Sequence, residues 1–213
     1  LYEKMKALSI EIHKRDLERN IQIGERGAEH IFAATKGKKL KISTHCNAGT
    51  LATGGYGTAL GVIYSLFKRG VVEKVWVDET RPYLQGSRLT AFELGEAGIP
   101  HEIITDSTTA FLMAKKEIDI VIIGADRMAL NGDFANKIGS YSLAVNANYH
   151  SIPLYTALPI ETFDLTIREG CDIVIEERSD VELLEFNGRR IAPATSKGLH
   201  LGFDVVPAAL TTG

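Results

Sequence analysis

The sequence predicts an α/β protein with a doubly wound, mainly parallel sheet and a helical lead-in, and three observations predict it. After Lys39, short apolar runs alternate with longer amphipathic ones, the pattern of βαβ units. One of those runs, Ile120-Val121-Ile122-Ile123, has no polar alternation, as expected of a central strand covered on both faces. The first 35 residues instead place apolar side chains at helical spacing.

In the lead-in, Met5, Leu8 and Ile12 predict one helix, and Asp16 is placed to cap a second that carries Leu17, Ile21, Ala28 and Ile31. Gly24 and Gly27 each disfavour helix by about 1 kcal/mol, which predicts close packing against a neighbour. Lys36-Gly37-Lys38-Lys39 reads as a connector, dividing a lead-in (1–35) from the main domain (36–213). Strands are expected at Leu40–Thr44, Val75–Asp78, Glu102–Thr105, Ile118–Ile123 and Pro153–Ala157. Helices are expected at Thr58–Arg69, Ser87–Ala97, Thr108–Lys116 and Ser140–His150. Beyond Glu161 the pattern loosens, with further strands expected at Asp172–Glu176 and Phe203–Val206.

Composition narrows the function. The chain has 213 residues, 45% hydrophobic and 24% charged, with a formal net charge of −3, values of a globular domain and not of a disordered chain. A weakly acidic balance argues against a non-specific nucleic-acid binder, which needs clustered Lys and Arg. No apolar run approaches the ~20 residues that span a bilayer, and the charged opening does not read as a signal peptide. Two cysteines, Cys46 and Cys171, give no disulfide framework, so a reducing, cytoplasmic setting is expected.

In open α/β sheets, ligands bind beyond the carboxyl ends of the strands, and three segments with unusual residues fall there. The first runs from Ser43 to Thr50, with Gly54-Gly55-Tyr56-Gly57 following. Gly-rich turns of this kind expose backbone N–H groups to an anion. A dinucleotide fingerprint is disfavoured, because Leu60 stands where the third glycine belongs. Cys46 lies in this turn; either it is a small buried hydrophobe, or its place near helix N-termini gives a lowered pKa and a reactive thiolate. The two cysteines and six scattered histidines show no zinc-ligand spacing, and His45 reads as a structural hydrogen-bonding residue.

The second segment runs from Asp78 to Arg88, where Arg81 and Arg88 are suited to carboxylates or phosphates and equally to structural pairing. The third is Gly124-Ala125-Asp126-Arg127, directly after the most apolar strand. An acid there is expected to have its pKa raised by desolvation, unless it merely caps a helix. Downstream, Lys137 is suited to a phosphate and Asn136 to a sugar hydroxyl.

Taken together these segments resemble the methylthioribose-1-phosphate isomerase family, which is related to the regulatory subunits of the eukaryotic translation initiation exchange factor. The likeness rests on Thr44-His45-Cys46-Asn47-Ala48-Gly49, Asp78-Glu79-Thr80-Arg81-Pro82 through Gln85-Gly86, and Gly124-Ala125-Asp126-Arg127 through Asn136-Lys137-Ile138-Gly139. It continues through Thr162–Thr166, Glu176-Glu177-Arg178 and Phe203-Asp204-Val205. The resemblance implies a Rossmann-like domain and an aldose–ketose isomerase of methionine salvage that uses no metal or other cofactor. It implies Cys46 and Asp126 as catalytic residues, Gln85, Asn136 and Lys137 as substrate contacts, and a homodimer. The family also draws an Arg-Gly-Ala segment and another arginine from an N-terminal domain without a counterpart in this sequence; Arg26-Gly27-Ala28 is not given that role. Ribose-1,5-bisphosphate isomerase and a non-catalytic regulatory subunit are the alternatives within the resemblance.

Overall fold

A computed structural model describes all 213 residues, Leu1–Gly213. One continuous helix, α1 (Tyr2–Ala34), replaces the two expected in the lead-in. Asp16 is not a cap: its carboxylate accepts the Gly54 N–H at 2.6 Å, a tertiary bond that leaves the helix unbroken. The buried stripe of α1 is Asn20, Gly24, Ala28 and Ile31, one face at helical spacing. This stripe lies on α2 (Ala59–Lys68). A Cβ at Gly24 would sit 2.8 Å from Gly61 O, and one at Gly27 would sit 2.7 Å from Val62 Cγ2, so the two glycines answer the close approach expected of them.

The central sheet is built from β1 (Leu40–Thr44), β2 (Val72–Asp78), β3 (His101–Ile104), β4 (Ile120–Ile123) and β7 (Leu154–Thr156). Its order is β3-β2-β1-β4-β7, all parallel, so it is a doubly wound, Rossmann-like sheet. Ile120 and Ile122 point into one core with α1 and α2, while Val121 and Ile123 point into the other with Leu143, Ala144 and Leu154. Two-sided burial explains the missing alternation, and each such side chain contributes roughly 1.5–3 kcal/mol.

Between β2 and β3, a wide turn of helix (Gly86–Thr90) runs into α3 (Ala91–Glu96). A Cβ on Gly86 would fall 1.7 Å from Asp78 O, so only glycine lets that turn close onto the end of β2. Helix α4 (Thr108–Ala114) precedes β4.

A second, antiparallel sheet, absent from the sequence expectations apart from its last strand, joins β5 (Arg127–Met128), β6 (Phe134–Lys137) and β12 (Phe203–Val206) in the order β12-β6-β5. Helix α5 (Ser140–Tyr149) follows β6, and Asp204 of β12 accepts the N–H groups of Gly139 and Tyr141 at its start. The strand expected at Asp172–Glu176 does not form. Gly170–Asp172 is a helical turn, and the pairing falls later, between β8 (Glu177–Arg178) and β11 (His200–Leu201). Between them lie α6 (Val181–Leu184) and a small hairpin, β9 (Glu185–Phe186) with β10 (Arg189–Arg190).

Candidate active site

The order of a doubly wound sheet reverses between β1 and β4, the point where such sheets open a ligand crevice. Cys46 follows β1 and Asp126 follows β4, so the two strand ends flanking the crevice carry the thiol and the carboxyl. Both line one cleft of about 380 Å³, together with Asn47, Thr58, Asn136, Thr162, and Asp16 and Asn20 of α1. A volume of that order suits a small metabolite. A larger groove of about 590 Å³ lies between α2 and α3 against Tyr64, Phe67 and Phe92, but its one buried acid, Glu93, is already bonded.

Cys46 is half-buried and sits at φ 63°, a left-handed conformation that a side chain adopts only when its surroundings hold it. The hold comes from both sides. Its N–H donates to Thr80 Oγ1 at 2.9 Å, and its C=O accepts from Thr90 Oγ1 at 2.6 Å. Burial pushes the Cys46 thiol up to about 11, against the pull of the Asn47 N–H and of Lys137. The expectation of a lowered pKa is therefore overturned: withdrawal from water outweighs the nearby positive groups, and Asp126 adds repulsion.

Asp126 does not cap a helix, because strand β5 follows it; its N–H pairs with Ala135 O at 2.8 Å. Its side is open to the cleft, yet the surrounding chain raises its pKa through desolvation, with Lys137 pulling the other way.

Lys137 is 7% exposed on β6; its Nζ donates to Gly202 O at 3.1 Å and lies 4.0 Å from the centre of the Phe203 ring. Asn136, also buried, donates Nδ2 to Ser140 Oγ and faces the cleft. Gln85 does not line the cleft; it stands at the end of the Thr80–Gln85 turn with Oε1 buried and unpartnered. Arg81 and Arg88 donate to Pro82 O and Tyr83 O, and neither pairs with a carboxylate.

The loop after Cys46 is tied by Glu93, a residue with no local sequence signal for that role. Glu93 of α3 accepts the N–H groups of Thr50 and Leu51, the Asn47 amide and the Tyr64 hydroxyl. The amides of Thr50, Leu51 and Gly54, expected to face an anion, are thus held by Glu93 and Asp16. Beneath Cys46, the ligand atoms of His45, Asp78 and Asp106 lie within 4.8 Å of one another, a grouping no sequence spacing reveals because the three leave different strands. Their atoms already have protein partners. His45 meets Asp78 and Ile138 O, Asp78 also takes the Thr109 hydroxyl, and Asp106 takes the Thr80 and Arg81 amides.

A Rossmann-like domain with a thiol and a carboxyl on adjoining central strand ends is the architecture of a small-molecule site. The family pattern described as the Initiation factor 2 subunit family matches residues 3–213, and the chain belongs to that family. Its relatives include the methylthioribose-1-phosphate isomerase of Caldicellulosiruptor saccharolyticus, 52% identical over 98% of this chain and 59% of that protein. The protein of the same name in Thermus thermophilus is 56% identical over 92% of this chain and 57% of its own length. Among solved structures, 5-methylthioribose 1-phosphate isomerase from Pyrococcus horikoshii OT3 superposes with a TM-score of 0.89 at 41% identity, covering 99% of this chain and 58% of that one. The translation initiation factor eIF-2B subunit delta from A. fulgidus superposes with a TM-score of 0.88 at 43% identity, covering 95% and 57%. The chain thus spans somewhat over half the length of these relatives. No helix in it is long and apolar enough to cross a membrane.

Proposed function

We propose that the protein is an aldose–ketose isomerase that converts 5-methylthioribose 1-phosphate to 5-methylthioribulose 1-phosphate. The observation that carries the reading is the pairing of Cys46 and Asp126 on the strand ends at the reversal of the sheet, in one cleft. The names of the two relatives and of the Pyrococcus structure favour this substrate.

The chemistry needs groups of this kind. A phosphate on C1 locks the sugar ring, so the ring oxygen must receive a proton as the bond between it and C1 breaks, with the phosphate ester left intact. One hydrogen then moves from C2 to C1, and the C2 hydroxyl loses its proton as the ketone forms. No oxidant is consumed. Asp126, with its pKa raised by desolvation, is the group to deliver the first proton and recover the last. Cys46, held as a thiol by its raised pKa, is a second proton-bearing group on the cleft wall. Lys137 pairs with the phosphate, while Asn136, on the cleft wall, takes a sugar hydroxyl. The second reading within the resemblance is a ribose-1,5-bisphosphate isomerase, whose substrate differs at C5.

The test is turnover of both sugar phosphates by the protein and by Asp126→Asn, which keeps the shape but exchanges no proton. Expected is conversion of the methylthio sugar and a loss of ~10²–10⁴ in rate with binding and melting retained. Near-normal turnover by the variant removes Asp126 from the mechanism. Absence of turnover on either sugar, with the protein folded, favours the non-catalytic reading that the likeness to eIF-2B subunit delta raises.

A further inference from the structure

Helix α1 puts a polar side chain where its buried stripe meets the cleft. Asn20 is 0% exposed, the one polar residue of a stripe otherwise made of Gly24, Ala28 and Ile31. Its Nδ2 donates to Asp16 Oδ2 at 3.0 Å, and that same oxygen accepts the Gly54 N–H. A carboxylate only accepts, so Asp16 fixes which end of the Asn20 amide faces it. The other end, Oδ1, is buried without a partner, and Asn20 lines the cleft that holds Cys46 and Asp126.

A second acceptor is in the same condition. Asn47, on the loop after β1, donates Nδ2 to Thr90 Oγ1 and Glu93 Oε1, which uses both of its hydrogens. Its Oδ1 is likewise buried and unpartnered, and it lines the same cleft. Buried acceptors without donors are rare because each carries the full cost of leaving water. Two such acceptors, each with its amide oriented by an acid, line one cleft.

We propose that Asn20 and Asn47 are a hydroxyl-recognition subsite of the cleft, taking hydrogen bonds from secondary hydroxyls of the sugar phosphate. Phosphate and carboxylate groups, which only accept, have no bond to make there; sugar hydroxyls do. The inference rests on the isomerase reading and extends it, since it brings α1 into substrate binding through Asn20 and Asp16.

The test compares binding of 5-methylthioribose 1-phosphate, its 2-deoxy and 3-deoxy analogues and inorganic phosphate to the protein and to Asn20→Ala. Loss of one neutral hydrogen bond predicts about three- to tenfold weaker binding of the sugar phosphate by Asn20→Ala, with inorganic phosphate unaffected. One deoxy analogue should lose a similar factor on the unvaried protein and nothing further on Asn20→Ala. Unchanged affinity of Asn20→Ala for the sugar phosphate, equal losses for inorganic phosphate, or fully additive losses overturn the subsite alone. Failure of the unvaried protein to bind any sugar phosphate overturns the isomerase reading with it. Should Asn20→Ala not fold, Asn20→Ser and the deoxy analogues on the unvaried protein decide: if neither analogue binds more weakly, the subsite is refuted.

Discussion

His45 Nδ1 lies 2.8 Å from Asp78 Oδ2, and both residues are 2% exposed. The Ile138 carbonyl, 2.9 Å from Nε2, can only accept, so that nitrogen carries a hydrogen. Burial disfavours the charged ring, but Asp78 and Ile138 outweigh it and hold the His45 pKa up, while burial raises that of Asp78. The pair ties the end of β1 to the end of β2, and the His45 Nε2–Ile138 O contact reaches on to the turn after Lys137.

His45→Ala is therefore expected to destabilise the fold by about 3–5 kcal/mol, the usual cost of removing one member of a buried pair. Denaturant unfolding measures this. His45→Asn, which keeps a polar group for one of the two partners, should recover part of the loss. A change below about 1 kcal/mol for the alanine variant would mean that the pair does not bind these strand ends together.

The Cys46 thiol, raised to about 11, should be slow to alkylate at neutral pH and gain about tenfold in rate per pH unit as its thiolate fraction grows. Cys171 is exposed and should be labelled first at pH 7. Peptide mapping after limited alkylation reads both sites. A Cys46 rate that is already level at pH 7 would contradict the raised pKa.

Lys137→Met keeps the apolar stem over Phe203 and removes the charge. Losing a charge-assisted bond to phosphate should weaken binding of substrate and of inorganic phosphate about ten- to a hundred-fold. Because Lys137 lowers the pKa of both Cys46 and Asp126, the alkylation profile of Cys46 should also move to higher pH. Phosphate affinity that survives the change would place the anion away from Lys137.

Glu93→Gln keeps one oxygen and puts an NH₂ group either where Asn47 and Leu51 donate or where Thr50 and Tyr64 donate. The expected outcome is a loss of about 1.5–3 kcal/mol in stability and faster hydrogen exchange at Thr50 and Leu51. Unaltered melting and exchange would show that the loop is held without this carboxylate.

Much of the fold was legible in local pattern. The unbroken apolar run Ile120–Ile123 announced a strand covered on both sides, and the helical spacing of Ala28 and Ile31 with Gly24 and Gly27 announced a closely packed helix. Placement of Cys46 and Asp126 at strand ends was legible for the same reason, since each lies within three residues of the end of its strand. These are properties of neighbours in the chain, which hydrophobic periodicity reports.

Only the tertiary structure decided what depends on distant neighbours. That β1 lies beside β4, which brings Cys46 to Asp126, is set by crossover connections and not by either strand's own residues. Strand β6 exists because β12 pairs with it from the far end of the chain. Asp16 looked like a cap and became a tertiary acceptor because α1 crosses the Gly-rich loop, and Glu93, on an ordinary amphipathic helix, holds that loop for the same reason. The sign of the Cys46 shift was decided there too. Helix ends and a lysine are visible in a sequence, but the desolvation that overrides them comes from the residues packed around the sulfur.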